Sequence, residues 1–133
     1  MKIDSTISRA KDGFYSIHCN NEMFSGGGNT PEEAKNDMLE QMRFYKVTCI
    51  EDGHTYPSFL DESIEIIYKF DVESLLEYYS GILTLTGLEK ITGINKKQLW
   101  SYLHGRSKPR KTQVDRIEKS LHQLGNEFLS ISL

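Results

Sequence analysis

The chain has 133 residues, 38% of them hydrophobic, and a formal net charge of −3. That length suits one domain of ordinary size or two very small ones, each marginal alone. No run of about eighteen apolar residues occurs, which excludes an apolar membrane-spanning helix, and Cys19 and Cys49 stand in neither metal-ligand spacing nor a disulfide framework.

Both cysteines fall in patterned segments and read as small core or half-buried thiols, with a reducing cytoplasm as the default compartment. The opening stretch MKIDSTISRAKDG has no apolar core behind Lys2 and does not read as a secretory leader. The mean charge conceals a division. Residues 1–80 carry 7 Lys/Arg and 15 Asp/Glu, a net of −8, and residues 81–133 carry 9 Lys/Arg and 4 Asp/Glu, a net of +5. Such a split points to two different partners, a polyanion for the basic half and something basic for the acidic half.

In chain order, KIDSTISR is a weak strand candidate with Ile3 and Ile7 on one face, and AKDG turns the chain at Gly13. FYSIHC alternates Phe14, Ser16 and His18 against Tyr15, Ile17 and Cys19, as a hairpin partner does. A short strand is predicted over Glu22–Ser25. Gly26, Gly27 and Gly28 lack the GK[ST] of a phosphate loop and are predicted to form a flexible turn into a helix. Thr30-Pro31-Glu32-Glu33 starts that helix: Thr30 caps, Pro31 suits the first position, and Glu33 completes a capping box. Ala34, Met38, Met42 and Tyr45, widened by Leu39, give its apolar face. Its end is predicted near Lys46–Thr48, followed by a loop over CIEDGHTYPSF. DESIEIIYKFD then alternates Ile64, Ile66, Tyr68 and Phe70 against Glu65, Ile67 and Lys69, the clearest strand in the chain.

After Phe70–Asp71 the apolar period changes to that of helices: Val72, Leu75, Leu76, Tyr79; Leu85, Leu88, Ile91; Leu99, Tyr102, Leu103; Val114, Ile117, Leu121, Leu124. Gly93 ends one helix in the left-handed conformation, and Asn95 caps the next, predicted over Lys96–His104. Gly105 ends that helix, a basic turn around Pro109 follows, and Thr112-Gln113-Val114-Asp115 opens the last helix with a capping-box pattern. Two short helices joined this way cross steeply, and the second suits a major groove. Lys96, Lys97, Gln98 and Ser101 fall on its leading or outward side, with Leu99 and Leu103 inward and Tyr102 at least partly packed. Lys donates to guanine and Gln pairs with adenine. Arg106, Lys108, Arg110 and Lys111 are the candidates for phosphate contact. The bland alternative is a solvated basic surface.

The stretch LTLTGLEKITGINKKQLWSYLHGRSKP resembles the helix-turn-helix of the phage-repressor (Xre/Cro-type) family. It has the Gly of the turn, an apolar residue next, a polar cap, an aliphatic five residues beyond Ile94 and an aromatic three further on. It departs from that family at Leu85, where Gln is usual, and at Glu89, where a small Ala is usual. The preceding stretch DGFYSIHCNNEMFSGGGNTPEEAKNDMLEQM, with its element order and coupling to a DNA-binding half, resembles the antitoxin family HicB.

These resemblances imply an α+β protein. Residues 1–70 would form a truncated ribonuclease-H-like β-β-β-α-β toxin-binding domain, and residues 71–133 an all-α repressor-type helix-turn-helix domain. They imply an antitoxin that sequesters a small basic HicA-like ribonuclease toxin through the first domain. The second would repress its own operon on double-stranded operator DNA as a homodimer or higher oligomer. The DNA-facing residues would be Asn95, Lys96, Lys97, Gln98, Ser101, Tyr102, Arg106, Lys108, Arg110 and Lys111.

The acidic candidates for toxin contact are Glu22, Glu32, Glu33, Asp37 and Glu40, with Glu51 and Asp52 beyond them. The same acids on the helix also read as its solvated face, the first two favouring its N-terminus. The tail EFLSISL either packs at home, joins a dimer interface or adds an edge strand.

Neither an enzyme nor a cofactor is expected. Ribonuclease-H chemistry gathers several carboxylates on two metal ions, whereas Asp4 and Asp12 are the only acids in the first hairpin, and the histidines are scattered. The alternatives are a stand-alone helix-turn-helix regulator with a ligand-binding or oligomerising first domain, and a residual nuclease.

Overall fold

The computed structural model describes every residue from Met1 to Leu133. The chain divides into two compact units, Met1–Asp71 and Val72–Leu133. It contains one four-stranded mixed sheet and five α-helices, and no helix is long and apolar enough to cross a membrane.

In the first unit, β1 (Lys2–Arg9), β2 (Tyr15–Cys19) and β3 (Ser25–Gly28) form an antiparallel meander, and α1 (Pro31–Asp52) leads to β4 (Glu65–Phe70). Strand β4 lies parallel to β1, giving the order β3-β2-β1-β4. A parallel neighbour needs a long crossover, and α1 supplies it. The register sets Ile7 opposite Ile17 on one side and Phe70 on the other, and Ser5 opposite Cys19 and Tyr68. One sheet face therefore carries Ile3, Ile7, Tyr15, Ile17 and Cys19, all buried with Ala34, Met38 and Met42 of α1. Each fully buried aliphatic here contributes about 1.5–3 kcal/mol relative to exposure. Both cysteines are buried, and burial raises the Cys19 thiol above its ordinary range.

Four sequence expectations are corrected in this unit. The strand predicted at Glu22–Ser25 is instead formed by Ser25 and the three glycines. The reason is close approach: a Cβ on Gly26 would lie 2.5 Å from the Ala34 carbonyl and the Met38 nitrogen, and one on Gly28 2.5 Å from Glu33 Cβ. The glycines let α1 pack directly on the strand's backbone.

Helix α1 also runs past Lys46–Thr48 to Asp52. Cys49 extends its buried stripe, and Gly53 ends it at φ 70° with its N–H directed at the Cys49 and Ile50 carbonyls. The β-branched Val47, Thr48 and Ile50 cost only tenths of a kcal/mol each in a helix, about what one buried contact offsets. Within the loop that follows, Ser58–Asp61 forms a 3-10 turn that buries Phe59 and Leu60.

At the start of α1, the Thr30 hydroxyl accepts from the Glu33 N–H at 3.1 Å. The returning bond differs from a standard capping box, because Glu33 accepts from the N–H of Asn29, at 2.8 Å, rather than that of Thr30.

The second unit holds α2 (Val72–Tyr78), α3 (Leu85–Thr92), α4 (Lys96–Leu103) and α5 (Lys111–Leu129). Its core is Leu76, Leu88, Ile94, Leu99, Tyr102 and Ile117. Helix α5 starts at Lys111, not after Thr112, and its flanking Arg110 makes no side-chain cap bond, so the capping-box reading there is corrected. The tail neither packs at home nor adds a strand. Phe128 and Leu129 finish α5, and with Ile131 and Leu133 they are exposed.

Candidate nucleic-acid interface

The turn between α3 and α4 is fixed from several sides. Thr84 caps α3 by accepting from the Gly87 N–H at 3.0 Å. Gly93 follows α3 at φ 71°, and its N–H donates to the Glu89 carbonyl. The buried Thr92 hydroxyl donates to the Leu88 carbonyl at 2.6 Å and accepts from the Ile94 N–H at 3.1 Å. Ile94 is thereby driven into the core, at 2% exposure. Asn95 caps α4, its side-chain oxygen accepting from the Lys97 N–H at 2.8 Å. Glu89 reaches over from α3 and accepts from the Lys96 N–H. Two of the four amides that a helix start leaves open are thus filled by the chain's own acceptors.

With Leu99 and Tyr102 buried, the helical repeat turns Lys97, Trp100, Ser101 and His104 outward and leaves Lys96 and Gln98 on the flanks. Asn95, Lys96, Lys97 and Gln98 are all exposed, as are Arg106, Lys108, Arg110 and Lys111. The second unit carries nine Lys/Arg against six Asp/Glu.

Not every predicted residue is free for a ligand. Tyr102 is 4% exposed and belongs to the core, so its place among the DNA-facing residues is corrected: its ring packs inward on the Leu99 side of the helix. Ser101 is half-buried, with its hydroxyl 2.7 Å from that of Ser107. Gln98 donates to the same Ser107 hydroxyl at 3.2 Å. Lys111 is not in the basic turn but opens α5, and it pairs with Asp115 at 3.0 Å.

Sequence reasoning missed Trp100. Its ring is 40% exposed, stacks on His104 with centroids 4.1 Å apart at 26°, and lies 4.9 Å from the Arg106 guanidinium. The signal was present as the i, i+4 spacing of Trp100 and His104 on the one helical face without an aliphatic residue.

The acidic candidates of the first unit are partly occupied in holding its fold. Glu32 pairs with Lys35 at 2.9 Å, Glu33 holds the Asn29 amide, and Asp37 accepts from the Gly27 N–H at 2.9 Å. Glu22, Glu40, Glu51 and Asp52 are exposed.

No family model matches the chain, and no curated protein or solved structure is significantly similar to it.

Proposed function

We propose that the protein is a DNA-binding repressor and antitoxin, with the basic second unit on operator DNA and the acidic first unit on a small basic ribonuclease toxin. The carrying observation is the leading end of α4: Lys96, Lys97 and Gln98 are exposed beside a rigidly capped turn, while Leu99 anchors the helix from behind. Groove recognition needs a rod held at a fixed angle with donors at its front. On this reading α3 and α4 form a helix-turn-helix of repressor type. Arg106, Lys108 and Arg110 flank it for phosphate contact.

The order β3-β2-β1-β4, with α1 crossing between an antiparallel meander and a parallel strand, supports the truncated ribonuclease-H-like reading of the first unit. Its role there is blockade, which uses binding and no catalysis. An acidic surface competes with RNA for a basic partner and speeds its capture. The exposed apolar tail, Phe128, Leu129, Ile131 and Leu133, supports self-association of the kind a reader of paired half-sites uses. The protein then acts in the cytoplasm as a dimer or higher oligomer, without a cofactor.

The test is co-expression of the full chain with the product of an adjacent reading frame encoding a small basic protein. Co-purification, loss of RNA cleavage in the complex and retention of the DNA upstream of the gene pair are the expected outcomes. A chain that retains upstream DNA but has no such neighbour would favour the stand-alone regulator. Retention of neither partner sinks the proposal.

A further inference from the structure

One side of the first unit carries an open cleft between β3 and α1 of about 620 Å³. Large apolar side chains stand around it uncovered: Met23 is 74% exposed, Phe44 71% and Phe14 43%. Tyr45 and the Gly27 backbone form part of its wall, and Asp37 is the carboxylate among its lining residues. Asp37 also borders a second hollow whose other charged residues are Glu33, Glu40 and Arg43, three carboxylates with Asp37 against one guanidinium. Apolar anchoring ground and negative charge are therefore contiguous. Exposed apolar side chains gathered at one concavity, with charge at the margin, are the signature of an interaction site.

The edge strand sets how a partner is held. The Cys19 N–H donates to the Phe24 carbonyl at 2.9 Å. The antiparallel alternation then makes Ile17–Gly26 and Tyr15–Gly28 the bonded pairs and turns the Ser25 and Gly27 amides to the open edge. Asp37 occupies the Gly27 amide. An added strand would need that donor, so strand addition is blocked there and side chains in the cleft carry the contact.

We infer that this cleft docks a cationic protein segment that inserts an aromatic or aliphatic anchor between Phe14, Met23 and Phe44 and sets flanking Lys or Arg against Asp37 and Glu40. The inference rests on the reading of the first unit as the partner-binding half. Charge argues for this occupant: Met1–Asp71 holds 7 Lys/Arg against 13 Asp/Glu. It also argues against the apolar tail of a second copy, which carries Glu127 and no Lys or Arg after Lys119.

The experiment titrates the isotopically labelled full chain with three synthetic peptides of equal length, read by backbone amide shifts. One carries Phe and Leu flanked by Lys and Arg. The second has Glu in place of the cations, and the third has Ser in place of the apolar anchors. The first is expected to move the amides of Met23, Gly27, Gln41 and Phe44, and the other two to bind at least about tenfold more weakly. The double variant Met23→Ser, Phe44→Ser, which alters only exposed side chains, is expected to weaken the first peptide by a similar factor and leave the remaining spectrum in place.

Equal binding of cationic and anionic peptides, shifts on another face, or no binding overturns the inference. So does loss of self-association in the double variant, which would assign the cleft to a second copy. If the double variant still holds the neighbouring basic protein as wild type does, the cleft is excluded while the role of the first unit survives. If the wild-type chain holds no such protein, that role fails and the peptide series judges the cleft alone.

Discussion

The Glu89 carboxylate accepts a hydrogen bond from the Lys96 N–H, at 2.5 Å, and so ties α3 to the first residue of α4. The Glu89 side chain is thus a second cap for α4, with a carboxylate at the positive end of the helix. Glu89→Ala is expected to lower the stability of the second unit by about 0.5–2 kcal/mol, read from urea unfolding followed by Trp100 fluorescence. Glu89→Gln keeps an acceptor but removes a negative charge beside Lys96 and Lys97. It should raise duplex-DNA affinity by about 2- to 5-fold, the equivalent of ~0.3–1 kcal/mol. Unchanged affinity would show that DNA does not approach this helix end.

Lys97 stands on the outward face of α4 and Arg110 at the start of α5. Lys97→Ala is expected to cost about 1–3 kcal/mol on the preferred sequence and to relax preference at one position. Arg110→Ala should weaken all sequences alike and reduce the slope of log affinity against log salt by about 0.9. Lys111→Ala should do less, because Lys111 is shared with Asp115. Fluorescence anisotropy across a salt series separates the three. Equal effects of all three would mean that the surface is only a diffuse cationic patch.

Trp100 is the chain's one tryptophan; its ring stacks on His104 and lies 4.9 Å from the Arg106 guanidinium, on the face that DNA would meet in the proposed complex. Duplex DNA should therefore change its emission in a saturable way that reverses with added salt. Retarded DNA with unaltered emission would place the contact elsewhere on the unit.

Gly26 and Gly125 separate two uses of glycine. A methyl at Gly26 would meet α1 backbone at 2.5 Å, whereas one at Gly125 would meet nothing within 4 Å. Gly26→Ala should destabilise the first unit by about 1–3 kcal/mol through overpacking, and Gly125→Ala should stabilise α5 by about 0.5–1 kcal/mol. Thermal and urea unfolding by circular dichroism measures both. A neutral Gly26→Ala would mean that the strand and helix are not so closely apposed.

Asp61 closes the 3-10 turn onto α1, accepting from Lys46 at 2.8 Å and from the Tyr56 hydroxyl at 3.0 Å. The Lys46 ammonium first, and the Tyr56 hydroxyl second, hold its carboxyl below the ordinary value of 3.8. A carboxyl lowered in the folded state stabilises fully above its unfolded pKa, and that contribution is lost as pH falls through the folded value. Asp61→Asn should therefore shift the unfolding midpoint at pH 6 and leave the difference from wild type much smaller at pH 2. A difference independent of pH would assign the effect to packing.

Much of the first unit was legible because one-sided burial forces an alternating pattern. Tyr15, Ile17 and Cys19 of β2 and Ile66, Tyr68 and Phe70 of β4 follow that rule, and Ala34, Met38 and Met42 follow the helical one. The glycine strand was not legible. A strand without side chains has no alternation, and the reason for its composition lies in α1, which packs against it from later in the chain. The continuation of α1 to Asp52 was obscured for a different reason: Cys49 reads as a core or half-buried thiol, but the β-branched Val47, Thr48 and Ile50 are weak helix formers and mask the stop at Gly53.

At the candidate site, the chain's own order determined the cap at Asn95, the turn at Gly93 and the run of exposed cations. These are local events, settled by backbone preference and by neighbours three or four residues away. Only the tertiary structure decided that Tyr102 is buried in full rather than shared with a ligand, that Gln98 and Ser101 converge on Ser107, and that Glu89 closes the start of α4. It also decided that Asp37 holds the edge of β3 beside an uncovered cleft. Each of these depends on which distant groups folding brings within hydrogen-bonding or packing distance, and one-dimensional spacing does not encode that proximity.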